Sequence, residues 1–176
     1  MTETTQIILA GGTCTIDDQN IFIKRVQRFA DEQELILQVF NAEKIYGKTH
    51  LLSAVHHALR SEKEKRMTTK SIEMELFLYA SSERQLKLAI PKMGVHTGRN
   101  SVAVIIINLS KPIKNTEDIM DRFFSSMDIT QNDDVLKGDV NTLLSFGISP
   151  EEINTVSEKR YDTLILEKIA IIDIIK

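Results

Sequence analysis

The run Val102-Ala-Val-Ile-Ile-Ile-Asn-Leu109 is the clearest strand signal in this chain of 176 residues. Seven of its eight residues are apolar, with no alternation between apolar and polar positions. A strand of this kind is covered on both faces, whereas a half-exposed strand alternates. The sequence therefore predicts a sheet whose interior contains this strand.

Working outward, two shorter apolar runs predict strands at residues 5–10, where Gly11-Gly12 should end the strand, and at residues 35–40. Periodic apolar positions predict two helices whose first residues are marked by a cap, which is Asn20 for one and Ser81 or Ser82 for the other. The same periodicity predicts further helices at 49–63, 71–79, 116–127, 139–146, 150–158 and 163–176. Together these elements indicate an α+β fold. We expect a single domain over residues 1–176, with a small central sheet, mixed or largely antiparallel, and more helix than strand.

Composition indicates a water-soluble protein, with 42% hydrophobic and 27% charged residues. The single cysteine, Cys14, cannot form an intrachain disulfide, which fits a reducing compartment. No apolar run has membrane-spanning length, and the N-terminal residues lack the pattern of a secretory signal. We therefore expect a cytoplasmic protein.

Charge is unevenly distributed although the net charge is only −3. Residues 41–114 contain thirteen Lys or Arg against six Asp or Glu, whereas residues 115–162 contain four against eleven. This asymmetry fits either two solvated faces of opposite sign or a basic surface that meets a polyanion. The connector at residues 60–70 between two predicted helices is the most basic segment, and it is either a solvated link or a phosphate contact.

Gly47-Lys48-Thr49 looks like the end of a nucleotide-binding loop, but the rest of that motif is missing. A phosphate-binding loop needs glycine five residues before its second glycine, and Ala42 stands there. We read the segment as a turn from strand to helix. The four histidines and Cys14 lack zinc-site spacing, so no metal or other cofactor is expected.

Catalytic motifs are also missing, since no nucleophile elbow or Ser-His-Asp arrangement is present. One enzymatic alternative stays open, in which His57 or Glu75 acts in a cleft. A second alternative concerns the apolar segment 163–176, whose apolar residues cover most of a helix circumference. Part of that surface should be exposed in the monomer and should dock a partner or a second copy of the chain.

Two segments together carry a resemblance to a known family. Phe40-Asn-Ala-Glu-Lys-Ile-Tyr-Gly-Lys-Thr-His-Leu-Leu-Ser-Ala-Val-His-His-Ala-Leu-Arg60 resembles the signature block of the kinase-binding subunit of the KEOPS complex, the TPRKB-like family. Glu75-Leu-Phe-Leu-Tyr-Ala-Ser-Ser-Glu-Arg-Gln-Leu86, followed by Ala89-Ile-Pro-Lys-Met-Gly94, resembles its second block. The likeness is strongest over residues 35–110, and the compact sequence suggests an archaeal member.

The resemblance implies a non-catalytic subunit of KEOPS, the complex that installs threonylcarbamoyl on the adenosine beside the anticodon of tRNAs that read ANN codons. Such a subunit binds and stimulates the small Rio-like atypical kinase of the complex, and it helps recruit tRNA by its single-stranded 3′ CCA tail. It meets the other KEOPS subunits only indirectly.

Carried onto this chain, the implied RNA-binding residues are Arg60, Lys63, Lys65, Arg66, Lys70, Arg84 and Gln85, and the implied kinase-interface residues are Ile165, Ile169 and Ile172. The chain departs from the family at Ser82, where glycine is expected. That departure leaves the backbone of this turn to be determined.

Overall fold

The computed structural model describes residues 5–110 and 112–176 of the chain. The fold is α+β, with one four-stranded antiparallel sheet and more helix than strand, which confirms the predicted class. The strands are β1 (Gln6–Ile16), β2 (Ile36–Asn41), β3 (Gly98–Asn108) and β4 (Thr130–Gln131). The α-helices are α1 (Gln19–Gln33), α2 (Gly47–Lys63), α3 (Ile72–Ser81), α4 (Leu86–Met93), α5 (Thr116–Met127), α6 (Val140–Phe146), α7 (Pro150–Ile153) and α8 (Tyr161–Ile175).

These elements group into two compact units. The first unit, Met1–Ala42 with Val95–Val135, contains the sheet together with α1 and α5. The second unit, Glu43–Gly94 with Leu136–Lys176, contains the other six α-helices of the described residues. The single domain expected over residues 1–176 stays a prediction. None of the described helices has both the length and the apolar character needed to cross a bilayer.

The predicted interior strand is β3, which lies between β2 and β1 in the order β2-β3-β1-β4. Ile105 at its middle stands opposite Leu9 of β1 and Gln38 of β2. Residues 102–107 are all buried although their side chains alternate between the two faces of the sheet. The expectation that this strand is covered on both faces is therefore confirmed.

Strand β1 does not end at Gly11-Gly12, as the sequence analysis expects, but continues to Ile16. Gly12 stands opposite Gln131 of β4, where the two strands approach very closely. A Cβ atom at Gly12 would lie 2.8 Å from the carbonyl oxygen of Thr130 and would also clash with the side chain of Ile129. Glycine is therefore present here to admit a neighbouring strand, and it does not act as a strand terminator.

Helices α1 and α5 form the core of the first unit with the sheet residues. Asp18, and not Asn20, caps α1, since its carboxylate accepts a 2.9 Å hydrogen bond from the amide of Ile21. Phe29 of α1 meets Phe123 of α5 edge to face, with ring centroids 5.2 Å apart. Helix α5 has the predicted bounds, 116–127.

In the second unit, α3 packs against α2, and α8 packs against both. Helix α3 is buried from Glu75 to Ser81, as its continuous apolar composition predicts. It ends at Ser81, and α4 begins only after Gln85, so neither Ser81 nor Ser82 caps α4. Ser82 instead ends α3: it adopts left-handed backbone angles, and its amide donates a hydrogen bond to the carbonyl of Tyr79.

Candidate functional site

The three isoleucines proposed to meet a kinase form the inner stripe of α8 (Ile165, Ile169 and Ile172). All three are buried in the free chain. They share one side of the helix, as positions spaced by four and three residues do, and α8 packs against α2 and α3. The expectation that these side chains are exposed for docking is therefore wrong, because this stripe belongs to the core of the second unit.

The exposed apolar surface of α8 lies on a different side, which we call the outer stripe (Ile171, Ile174 and Ile175). These side chains are 48%, 82% and 44% exposed. They are also spaced by three and four residues, so they form one continuous strip along the last turns of the helix. Because isolated exposed isoleucines are ordinary but a strip of three is not, the outer stripe is a candidate contact surface.

A buried ion pair fixes the last turn of α8 to α2 and α3. Lys176 contacts the carboxylate of Glu75, and both side chains are almost completely buried. The Lys176 ammonium also donates a 2.9 Å hydrogen bond to the hydroxyl of Ser61 and lies 4.4 Å from the ring centroid of Tyr79. Thr69 supplies both its hydroxyl, at 2.7 Å, and its amide, at 3.2 Å, to the other carboxylate oxygen of Glu75.

About one turn earlier in α8, Asp173 contacts polar side chains of α2 and α3. Its carboxylate accepts hydrogen bonds from the hydroxyl of Tyr79, at 2.7 Å, and from the guanidinium of Arg60, at 2.6 Å. Arg66 lies 3.8 Å from the same carboxylate. Burial alone would raise the pKa of Asp173, but the hydrogen bond from Tyr79 and the charge of Arg60 outweigh it and lower that pKa. Burial, together with the bond to Asp173, raises the pKa of Tyr79 to about 12.

His57 and Glu75, either of which the enzymatic alternative would use, belong to this polar cluster. His57 stacks on Tyr79, with ring centroids 5.3 Å apart, and it lies 3.7 Å from Asp173. Burial and the neighbouring charge of Arg60 lower the pKa of His57. Glu75 is fully enclosed and held by the partners described above. The arrangement is that of a structural polar cluster, since Glu75 is enclosed and the Asp173 carboxylate beside the imidazole is engaged by Tyr79 and Arg60.

The basic connector (residues 60–70) runs from the end of α2 toward α3. Lys63, Lys65 and Lys70 are exposed along it. Arg60 and Arg66 are also at the surface, but their guanidinium groups are held by Asp173 and, for Arg66, by Glu64 at 2.7 Å for the Nε bond. Three of the five predicted RNA contacts in the connector are therefore lysines with no ion pair to any residue that the structure describes, and two are arginines already engaged by carboxylates.

Arg84 and Gln85 line an open cavity of about 380 Å³ beside the last turn of α8. Neither side chain has a hydrogen bond or ion pair among the described residues, so both are available to a ligand. The hydroxyl of Ser82 is buried here without a hydrogen-bond partner among the described residues. We call this the α3–α8 cavity, and its lining residues are Ser82, Glu83, Arg84, Gln85, Leu88, Ile172, Ile175 and Lys176.

Residues 16–173 match the family described as kinase binding protein CGI-121. The chain belongs to the CGI-121 family. This match covers most of the chain and confirms the resemblance to the kinase-binding KEOPS subunits that the sequence blocks indicate. The comparison with curated proteins found no match.

In this CGI-121 chain, the last turn of α8 joins residues that the sequence places far apart. It borders the cavity of Arg84 and Gln85, and its Asp173 holds Arg60 and Arg66 of the basic connector. Sequence reasoning missed Asp173, Lys176 and the outer stripe. The signal that could have found the first two is their polar character within a run of isoleucines, at a three-residue spacing that brings both to the same side of the helix.

Proposed function

We propose that this chain is the kinase-binding, non-catalytic subunit of the KEOPS complex in the cytoplasm. In this role it binds and stimulates the small Rio-like atypical kinase that takes part in threonylcarbamoyl modification of tRNA. The observation that carries the proposal is the CGI-121 family match over residues 16–173, a family whose description is kinase binding. Threonylcarbamoyl transfer itself belongs to another subunit of the complex.

The outer stripe is the surface on which we place the kinase. It offers exposed isoleucines that would be buried on association, and each fully buried isoleucine contributes about 1.5–3 kcal/mol. The inner-stripe residues Ile165, Ile169 and Ile172 are buried on the other side of α8 and hold the helix in place. The docking helix is therefore α8, with the contact on the side opposite the inner stripe.

The α3–α8 cavity is the place we propose for the 3′ CCA tail of tRNA. Arg84 supplies an unpaired cation for a phosphate, and Gln85 supplies an amide that can donate to and accept from a base edge. Leu88 and Ile175 add apolar surface on which a base could lie. The exposed lysines of the basic connector would contribute attraction to the tRNA backbone that does not depend on sequence.

The test of the kinase-binding proposal is a titration of the purified cognate kinase with the full chain, followed by calorimetry and by the kinase's ATP hydrolysis. We expect saturable binding at a 1:1 ratio and faster hydrolysis. Sedimentation of the chain alone addresses the alternative of a homo-oligomer, which would bury the outer stripe against a second copy. A stable oligomer that does not bind the kinase would contradict the proposal and favour that alternative.

A further inference from the structure

One wall of the α3–α8 cavity carries a negative charge, although the tail proposed to bind there is a polyanion. Glu83 supplies this charge, and it is the only carboxylate among the residues that line the cavity. It lies in the short link between α3 and α4, where its amide donates a 3.1 Å hydrogen bond to the carbonyl of Leu78. Because like charges repel, this carboxylate does not act as a phosphate contact.

Lys92 of α4 holds the Glu83 side chain and offsets its charge. The Lys92 ammonium lies 3.2 Å from Oε1 of Glu83, and it also donates a 2.7 Å hydrogen bond to the carbonyl of Ser81. The same ammonium lies 4.2 Å from the ring centroid of Phe146, so three groups fix its position. The fold therefore orients the Glu83–Lys92 pair, and the formal charges of the two side chains cancel beside the cavity.

The second carboxylate oxygen of Glu83 is available to a ligand. Oε2 has no hydrogen-bond partner among the described residues, and the side chain is 28% exposed. A carboxylate accepts hydrogen bonds but cannot donate them. By contrast, the amide of Gln85 can turn to donate or to accept, and the guanidinium of Arg84 only donates. Among these three side chains, only Glu83 is restricted to accepting.

We infer that Glu83 selects bases that carry an exocyclic amino group, an inference that rests on the proposed binding of the CCA tail. These amino groups are N4 of cytosine and N6 of adenine, so every base of the tail has one. Uracil and hypoxanthine present a carbonyl oxygen at the same place, and that oxygen cannot donate to a carboxylate. A base of this kind leaves Oε2 without its hydrogen bond, which is how a polar site rejects an analogue. Glu83 thus determines specificity, whereas Arg84 contributes affinity through a phosphate.

The experiment measures the dissociation constants of fluorescently labelled single-stranded RNAs that differ only in their last three nucleotides. One RNA ends in CCA, and three others replace a single tail base by its carbonyl analogue, uridine for either cytidine or inosine for the adenosine. An RNA without the three tail nucleotides is the control for tail recognition. We expect at least one replacement to weaken binding to the unsubstituted chain by about tenfold, as the loss of one hydrogen bond to a charged group does. That RNA identifies the base that Glu83 contacts.

Glu83→Gln tests whether this side chain is responsible. The variant keeps the size of the side chain and an oxygen for Lys92, but its amide can also turn an NH2 group toward a carbonyl oxygen. The preference for the amino-bearing base should therefore fall to about twofold or less. Glu167→Gln, which changes an exposed carboxylate of α8 outside the cavity, should keep the preference. The ratio of two affinities within one variant is unaffected by a general gain or loss of attraction to RNA.

Three outcomes contradict the inference. If CCA and its analogues bind equally tightly while the RNA without a tail binds more weakly, the tail is bound without readout of its amino groups, and the proposed function stands. If Glu83→Gln and Glu167→Gln keep the same preference, another group reads the base and the Glu83–Lys92 pair is only structural. If the tail adds nothing to the affinity, the proposed recruitment of the CCA tail fails and the inference fails with it, whereas kinase binding is unaffected.

Discussion

The hydroxyl of Tyr79 in α3 donates a 2.7 Å hydrogen bond to Oδ1 of Asp173 in α8, while Arg60 of α2 donates to Oδ2 of the same carboxylate. One side chain therefore ties three helices of the second unit together. It also neutralises part of the basic connector, because Arg60 and Arg66 both lie within 4 Å of this carboxylate. Asp173 thus has opposite effects on structure and on RNA attraction.

Asp173→Asn should raise the affinity of the chain for single-stranded RNA of any sequence. Loss of the carboxylate frees Arg60 for phosphates, whereas Arg66 is still held by Glu64, so the slope of log affinity against log salt should steepen by roughly 0.7 for the one freed cation. Filter binding at several salt concentrations measures this slope. Glu167→Gln is the matched control, since it removes the same charge from an exposed position of α8. Equal slopes for both variants would show that Asp173 does not hold Arg60 away from RNA.

Arg84→Ala should weaken binding of a tRNA that ends in CCA and leave a tRNA without that tail unaffected. The reason is that Arg84 lines the α3–α8 cavity and has no hydrogen-bond or ion-pair partner among the described residues. Lys87→Ala is the control, because Lys87 is an exposed cation of α4 that does not line the cavity. Gel-shift titration with the two tRNAs measures the difference. If both tRNAs bind the unsubstituted chain equally tightly, the chain does not recognise the CCA tail.

Replacing Lys63, Lys65 and Lys70 together by Gln should weaken binding of both tRNAs to a similar extent and flatten the salt dependence. These side chains are exposed on the basic connector, where they can neutralise phosphates but make no defined cavity. The same gel shifts, repeated across a salt series, provide the measurement. A loss confined to the CCA-ending tRNA would mean that the connector, too, recognises the tail.

His50 should make the chain less stable as the pH falls from about 6.5 to about 4. It is fully buried; its Nδ1 accepts from the amide of Tyr46 at 3.1 Å, which leaves Nε2 to donate to the carbonyl of Ala80 at 2.8 Å. Burial lowers the pKa of His50 to about 4, so between these pH values the unfolded chain binds more protons than the folded one. The loss should approach about 3 kcal/mol at pH 4.

Urea unfolding at several pH values checks this expectation by comparing the chain with its His50→Gln and His56→Gln variants. The first should lose most of the slope of stability against pH in this range, although it is less stable overall. The second changes an exposed histidine on the same helix and should retain the slope. If the slopes of all three proteins coincide, His50 titrates as it does in water.

Ser82→Gly should stabilise the chain by about 1 kcal/mol. Ser82 has a φ of 55°, and the left-handed conformation costs a side-chain-bearing residue roughly 1–2 kcal/mol, which exceeds the extra entropy that glycine gains on unfolding. Its hydroxyl is also buried without a partner among the described residues. Ser53→Gly, within α2, should instead destabilise, so thermal unfolding midpoints that shift in the same direction for both would contradict the argument.

The sequence predicts the sheet well because its signal is local. Unbroken apolar character in residues 102–107 is sufficient to place β3 in the interior, and no other fold information is needed. Gly12 is misread, because a glycine that ends a strand and a glycine that admits a neighbouring strand look the same along the chain. Only the approach of Thr130 distinguishes them.

The candidate site is predicted less well because α8 is apolar on nearly every side. With no polar face to mark the exterior, spacing alone cannot tell the inner stripe from the outer stripe. The packing of α8 against α2 and α3 determines which stripe is buried. On α3, Glu75 pairs with Lys176, and Tyr79 donates a hydrogen bond to Asp173. A pairing across about a hundred residues of sequence carries no local signal. Family resemblance named Arg84 and Gln85 as RNA contacts, which stays a prediction, and it could not supply the orientation of the helix.

The most direct test of the account is kinase binding by Ile174→Arg, measured by calorimetry beside the unsubstituted chain and Ile21→Arg. Ile174 is 82% exposed on the outer stripe, and Ile21 is an exposed isoleucine of α1 in the first unit. Ile172 is unsuitable for this purpose because it is buried, and its replacement by arginine would disrupt the core. We expect Ile174→Arg to weaken kinase binding at least about tenfold while Ile21→Arg retains it. Unchanged affinity in folded Ile174→Arg protein would contradict docking through the outer stripe.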